Sequence, residues 1–150
     1  MTFELDISTM NLAEAVQAEF DEVRVPIQAA MAGRFKELVM ENFGENGTSR
    51  PHEWEDLRSK KYARKVGRDY ATLYVDGSLM DSVQIDPYNP DAAAVFSDSE
   101  YASTHQWGDE SRNIAPRPFF PMTEAGLTPY AIEEVTKAAQ WEAVKQLGAA

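Results

Sequence analysis

Apolar residues recur every three or four positions along the first third of the chain. Leu12, Val16, Phe20, Val23 and Ile27 start the stripe, and Met31, Phe35, Leu38 and Val39 continue it. That spacing predicts helix over residues 11–43. Asn11 followed by Glu14 resembles a capping box, with an amide in place of the hydroxyl. Pro26 interrupts the pattern, because proline removes a backbone donor and clashes with the preceding turn. The expectation is a kink, or two helices, 11–24 and 26–43, with Pro26 in a first turn where it is tolerated. Gly44 is the stop, and residues 44–53 read as a polar loop.

Beyond the loop the pattern shortens. Trp54 and Leu57 are apolar anchors, and residues 58–68 form a basic helix or turn around Tyr62, Ala63 and Val66. Residues 71–75 make a strand ended by Asp76-Gly77, a turn signal. Residues 78–82 fit one helical turn, with Ser78 as its N-cap. Residues 83–86 and 93–97 pair as a hairpin across the Pro- and Asn-containing turn 87–91. Residues 99–106 form a short helix closed by Trp107-Gly108, and 109–116 a polar loop. Residues 117–122 are extended, since each proline biases the residue before it away from helix. A last helix covers 128–147, capped by Thr128, with Pro129 in its first turn and Ile132, Val135, Ala139, Val144 and Leu147 as its apolar face. The fold class is α+β: a small antiparallel sheet packed by long N-terminal and C-terminal helices. No internal repeat is present. A length of 150 residues fits a single domain, 1–150.

Charge changes this picture. The net charge is −11, which argues against specific nucleic-acid binding, since that depends on cations neutralising phosphates. Residues 1–56 carry 12 acids and 4 bases, and residues 69–150 carry 13 acids and 4 bases. Between them, residues 57–68 hold six bases (Arg58, Lys60, Lys61, Arg64, Lys65, Arg68) and no acid. That cluster reads as a solvated helix face, or as a contact with an acidic surface, a neighbouring copy of this chain included. Nucleic acid comes third. The absence of cysteine excludes disulfides, zinc–thiolate sites and thiol nucleophiles. The acidic start does not read as a signal peptide, and no apolar run reaches the ~18–20 residues that span a bilayer. These features predict a soluble protein used inside a cell.

Candidate chemistry is sparse. His52 and His105 are the two histidines, and neither has a second ligand at metal-binding spacing. Glu53, Glu55 and Asp56 after His52 read as solvated surface. No nucleophile elbow, phosphate loop or dinucleotide fingerprint occurs. His105, beside Gln106 and Trp107, has two readings: a general base tuned by burial, or a histidine packed on Trp107 and bonded to a backbone carbonyl. The second has more behind it, because no partner nucleophile is evident. No catalytic, metal or cofactor site is expected.

One ordered series of small motifs stands out. It runs Trp54-x-x-Leu57; Lys65 with Gly67; Asp76-Gly77-Ser78-Leu79-Met80-Asp81-Ser82-Val83; Tyr101-Ala102-x-x-His105-Gln106-Trp107-Gly108; and Arg117-Pro118-Phe119-Phe120. The series resembles the phage virion morphogenesis family, which includes the tail-completion proteins of Mu-like phages. Asp76 stands where that family usually has threonine and Phe120 where it usually has leucine. The loop between Gly108 and Arg117 is short and lacks the family's frequent basic residues.

Each motif residue also has an architectural reading. Gly77 reverses the chain at positive φ before Leu79 enters the core. Ser82 caps the change from helix to strand. Tyr101, His105 and Trp107 suit a core edge or a subunit seam. Arg117 is suited to pairing with a carboxylate, and Pro118 and Pro121 stiffen the segment carrying Phe119 and Phe120. The resemblance implies a non-enzymatic ring subunit, commonly sixfold, that completes the tail or joins it to the head. Its implied partners are other copies of itself, the tail tube or tail terminator, and head-connector proteins. Phage DNA passes through without specific binding. The implied location is the virion tail or neck, after assembly in the host cytoplasm.

Overall fold

The computed structural model describes residues 1–5, 23–44, 47–55, 77–86 and 92–148. The predicted helix 11–24 (apart from its last two residues), the basic stretch 58–68 with Lys65, the strand 71–75, the turn 87–91, Leu57 and Asp76 lie outside the described residues.

Three strands form the main sheet: β1 (Thr2–Leu5), β2 (Val83–Asp86) and β3 (Ala93–Ser97), in the order β1-β3-β2. Both pairings are antiparallel. Val83 faces Ser97 across one, and Thr2 faces Phe96 across the other. The hairpin strands fall where the sequence predicts them. β1 was not predicted at all. It is four residues long, and its partner lies some ninety positions away, so nothing local in the sequence marks it.

Helix α1 (Arg24–Asn42) lies against this sheet and buries Ile27, Met31, Phe35, Leu38 and Val39. Pro26 sits in its first turn. There its missing N–H costs nothing, because the first helical bond runs from Ile27 N to Val23 O at 3.2 Å. The short helix α2 (Ser78–Asp81) starts from Gly77, whose φ of 84° lies in the left-handed region. Gly77 itself is the N-cap and Ser78 the first helical residue, which corrects the predicted cap.

Helix α3 (Ala102–Trp107) ends at Gly108, with φ 79°. A Cβ there would come within 2.9 Å of Pro116, so the approach of the following loop requires glycine. That loop is not featureless: it contains a 3-10 turn (Glu110–Arg112) and a bridge between Asp109 and Ile114. A two-residue hairpin follows, β4 (Met122–Thr123) with β5 (Gly126–Leu127). Helix α4 (Pro129–Gly148) then begins at Thr128, whose Oγ1 accepts from Ala131 N at 3.3 Å, as a capping residue does.

The inward face of α4 differs from the prediction. Its buried row is Ala131, Val135, Ala139 and Ala143, at strict i+4 spacing, while Ile132, Val144 and Leu147 are exposed. Small residues let α4 approach α1 closely, so alanines take the place expected of larger side chains. One ion pair ties the two helices. Arg34 meets Glu134 at 2.7 Å, and Glu37 and Glu41 of its own helix at 3.0 and 3.2 Å. These bonds, Glu134's first, push the Arg34 guanidinium further up, and Arg34's bond holds the Glu134 carboxyl below its usual range. Being depressed, Glu134 contributes stability above the ordinary carboxylate range, and that stability is lost as pH falls through the folded value.

Leu38→Ala is expected to lower unfolding free energy by about 2–5 kcal/mol, and Val144→Ala by less than about 0.5 kcal/mol. Urea denaturation of both variants measures the contrast, and equal losses would contradict this assignment of the core.

Candidate functional site

The motif residues converge on the extended segment 117–122. Prolines at 118 and 121 deny this segment a regular ladder, yet residues 117–121 are buried. Its backbone polar groups therefore need partners from elsewhere. Arg117 N donates to His105 O at 2.7 Å. Pro118 O accepts from Trp54 Nε1 at 3.0 Å, and Phe119 O accepts from Asn42 Nδ2 at 3.0 Å. Pro121 O accepts from Thr128 N at 2.9 Å.

Gln106 supplies the rest. It is only 1% exposed. Its Oε1 accepts from Phe119 N at 3.1 Å and from Phe120 N at 3.0 Å. Its Nε2 donates to Phe120 O at 3.2 Å and to Met122 O at 3.3 Å. Two donors face one end of the carboxamide and two carbonyls face the other, which fixes its orientation and uses its full capacity.

This clip places two rings. Phe119 and Phe120 are fully buried, with centroids 5.1 Å apart and planes at 61°. Phe120 lies 5.9 Å from Phe35, and Phe119 lies 5.3 Å from Phe43, so both rings pack on α1 or the residue that caps it. A second polar knot locks the end of α1. Asn42 Oδ1 accepts from Ser49 Oγ at 2.9 Å. Arg50 donates to Asn42 O from Nε at 3.0 Å and Nη2 at 2.6 Å, and also to Gly44 O. The Arg50 guanidinium stacks 3.7 Å over the Trp54 ring. Thr128 Oγ1 reaches Ser49 O at 3.4 Å, joining the start of α4 to the same knot.

Most of the predicted site residues that the structure describes fall into two groups relative to this clip. Trp54, His105, Gln106, Arg117, Pro118 and Phe119 belong to it. Arg117 is 4% exposed, and its Nε donates to a backbone oxygen, Glu55 O, at 3.0 Å. Gly77, Leu79 and Ser82 form a separate junction. There Ser82 Oγ bonds Leu79 O at 2.6 Å and pairs with Ser97 Oγ at 2.6 Å, the role expected of it between helix and strand. Leu79 packs on the core from its edge. Gly108 ends α3, and Tyr101 projects outward at 57% exposure. Leu57 and Lys65 lie outside the described residues. Sequence reasoning missed Asn42, Ser49 and Arg50, which read as a helix end and a polar loop.

His105 does not make the carbonyl bond expected of its ring at Nδ1, which is buried without a partner. Burial first, and then the charges of Arg117 and Arg112, depress its pKa. Arg112 itself is held by Asp109 at 2.6 Å and reaches Thr104 Oγ1 at 2.9 Å. The bonds from Ser111 and Arg112 hold the Asp109 carboxyl down at about 2. The His105 ring is thus harder to protonate than a free imidazole.

Polar side chains whose hydrogen bonds are spent on holding one buried segment are the build of a packing scaffold. The chain belongs to the phage virion morphogenesis family, whose model matches residues 8–140. No curated protein and no solved structure matches it. Its role therefore lies in building the phage particle.

Gln106→Leu leaves the amides of Phe119 and Phe120 and the Met122 carbonyl without their partner. At about 1–3 kcal/mol for each buried unpaired group, the loss is expected to be at least ~3 kcal/mol in chemical denaturation; a loss below ~1 kcal/mol would contradict the clip. His105 gives a pH signature. Its folded pKa lies below the ordinary 6.5, so the unfolded chain binds more protons just below that pH and stability falls as pH drops through it. Melting temperature is expected to fall between pH 7.5 and 5.5, and to fall less in His105→Asn; equal falls would refute the assignment.

Proposed function

We propose that this protein completes the phage tail and joins it to the head, as one subunit of a ring at the junction. Family membership over residues 8–140 supports the reading. The observation that carries it is the use of the motif residues. Trp54, Gln106, Arg117 and Phe119 are taken up in intrachain bonding and packing, which suits a rigid part presented to neighbours rather than a reaction centre. His105, without a partner at Nδ1 and set between arginines, is poorly placed to take up a proton. The protein acts here as a structural part, not as an enzyme.

A ring needs heterologous contacts, in which one patch meets a different patch on the next copy and the rotation closes. Acidity suits the position. Copies each carrying −11 surround the channel with negative charge, and DNA slides past such a wall without sticking. The partners on this reading are copies of the chain itself, tail-tube or terminator proteins below, and head-connector proteins above.

Purified particles are expected to contain the chain in several copies at the neck, measured by mass analysis of isolated tails and by imaging of the head–tail junction. Its absence from finished particles would turn the reading into that of an assembly factor. A single copy per tail would end the ring.

A further inference from the structure

Helix α4 buries small apolar residues on its inward side and carries large apolar ones among charges on its outward side. Its inward row ends at Ala143. At about 100° per residue, Val144 stands opposite Val135, with Trp141 and Leu147 three residues to either side of it. Trp141 is 77% exposed, Val144 70% and Leu147 43%. Glu133, Lys137 and Gln140 share that side, so Trp141 and Val144 are large apolar side chains set among polar ones, the mixture of a contact surface. None of the described residues covers this face.

Charge indicates what does. Lys137 and Lys145 lie four residues before and after Trp141, in one row with it. Lys137 is held by Glu133 at 2.9 Å and Glu134 at 3.4 Å, while the exposed Lys145 makes no ion pair among the described residues. The matching surface is on the same chain, around the Ser82–Ser97 hydroxyl pair. Asp81, Asp98 and Glu100 are exposed there with no cation paired to them among the described residues. Tyr101 stands beside them, 57% exposed, and the neighbouring Glu100 carboxylate pushes its pKa up.

We infer that the Trp141 face of α4 docks on the Tyr101–Asp98 surface of a second copy of this chain. Copies that each carry −11 repel one another. Their contact must therefore be apolar at its centre and opposite in charge at its edge. Trp141, Val144 and Lys145 meet Tyr101, Asp98 and Asp81 on those terms, with tryptophan and tyrosine as the large anchors that contribute most at interfaces. The two patches differ, so the contact is head-to-tail and propagates from copy to copy. The inference rests on the ring reading and names the contact within it.

The chain has no cysteine, so introduced thiols are the only ones present. The test joins Val144→Cys and Tyr101→Cys in one chain. The purified protein, and tails assembled from it, are oxidised with diamide and run without reductant. The expected result is a ladder of dimers, trimers and higher species from the double variant and monomer from each single variant. Trp141→Glu, a change at an exposed position, is expected to raise the concentration needed for self-association about tenfold or more. Dimers from Val144→Cys alone would mean that the face meets itself, and would overturn the inference. No cross-link in either setting, with wild-type tails still holding several copies, would remove this contact and leave the ring. One copy per tail, together with monomer in solution, would remove the ring and the contact with it.

Discussion

One buried carboxamide decides where residues 117–122 lie. Two prolines keep residues 117–121 out of any helix or sheet, yet Phe119 and Phe120 must enter the core. Entry brings peptide groups along, and buried peptide groups need partners. Gln106 is long enough to reach two successive amides with one atom and two carbonyls with the other. Alanine or leucine at 106 would leave the chain the choice of exposing the phenylalanines or burying unpaired amides.

The rest of the molecule is arranged around that solution. Asn42, at the end of α1, and Trp54, in the loop after it, take the Phe119 and Pro118 carbonyls, which Gln106 does not reach. Arg50 and Ser49 hold Asn42 in place, and Thr128 ties the start of α4 to Ser49. The last turn of α1, the loop 47–55, α3 and the start of α4 are thus fixed to one segment. A rigid centre of this kind suits a part that transmits load between neighbours, because its outer faces keep a constant relation to each other. Among the described residues, the outer side of α4 and the acidic junction near Tyr101 keep side chains exposed.

Much of this was legible in the sequence, for local reasons. The hairpin strands show as an alternation of apolar and polar residues at 83–86 and an apolar run at 93–97 on either side of turn residues, and Thr128-Pro129 marks the start of a helix by cap chemistry. The positive φ at Gly77 follows from its place in a turn. Non-local features were hidden. β1 pairs with a strand some ninety positions away, and four residues carry no period of their own. The inward face of α4 misled because three of its four buried residues are alanines, which weigh little in any hydrophobic pattern beside Ile132, Val144 and Leu147. Within the site, Gln106 and Arg117 stood out as motif positions, but an amide or a guanidinium does not announce its partners. Asn42, Ser49 and Arg50 gave no signal, since a polar residue at a helix end looks the same whether it is solvated or caps a core.

The central claim is that the Gln106 carboxamide holds the 119–120 peptides as firmly as a regular element would. Native-state hydrogen exchange at single-amide resolution tests it directly. The amides of Phe119 and Phe120 are predicted to exchange only through global unfolding, with the same protection as Phe35 and Leu38 in the middle of α1. Exchange at the rate of an open loop, orders of magnitude faster than in α1, would show that the clip does not hold the segment.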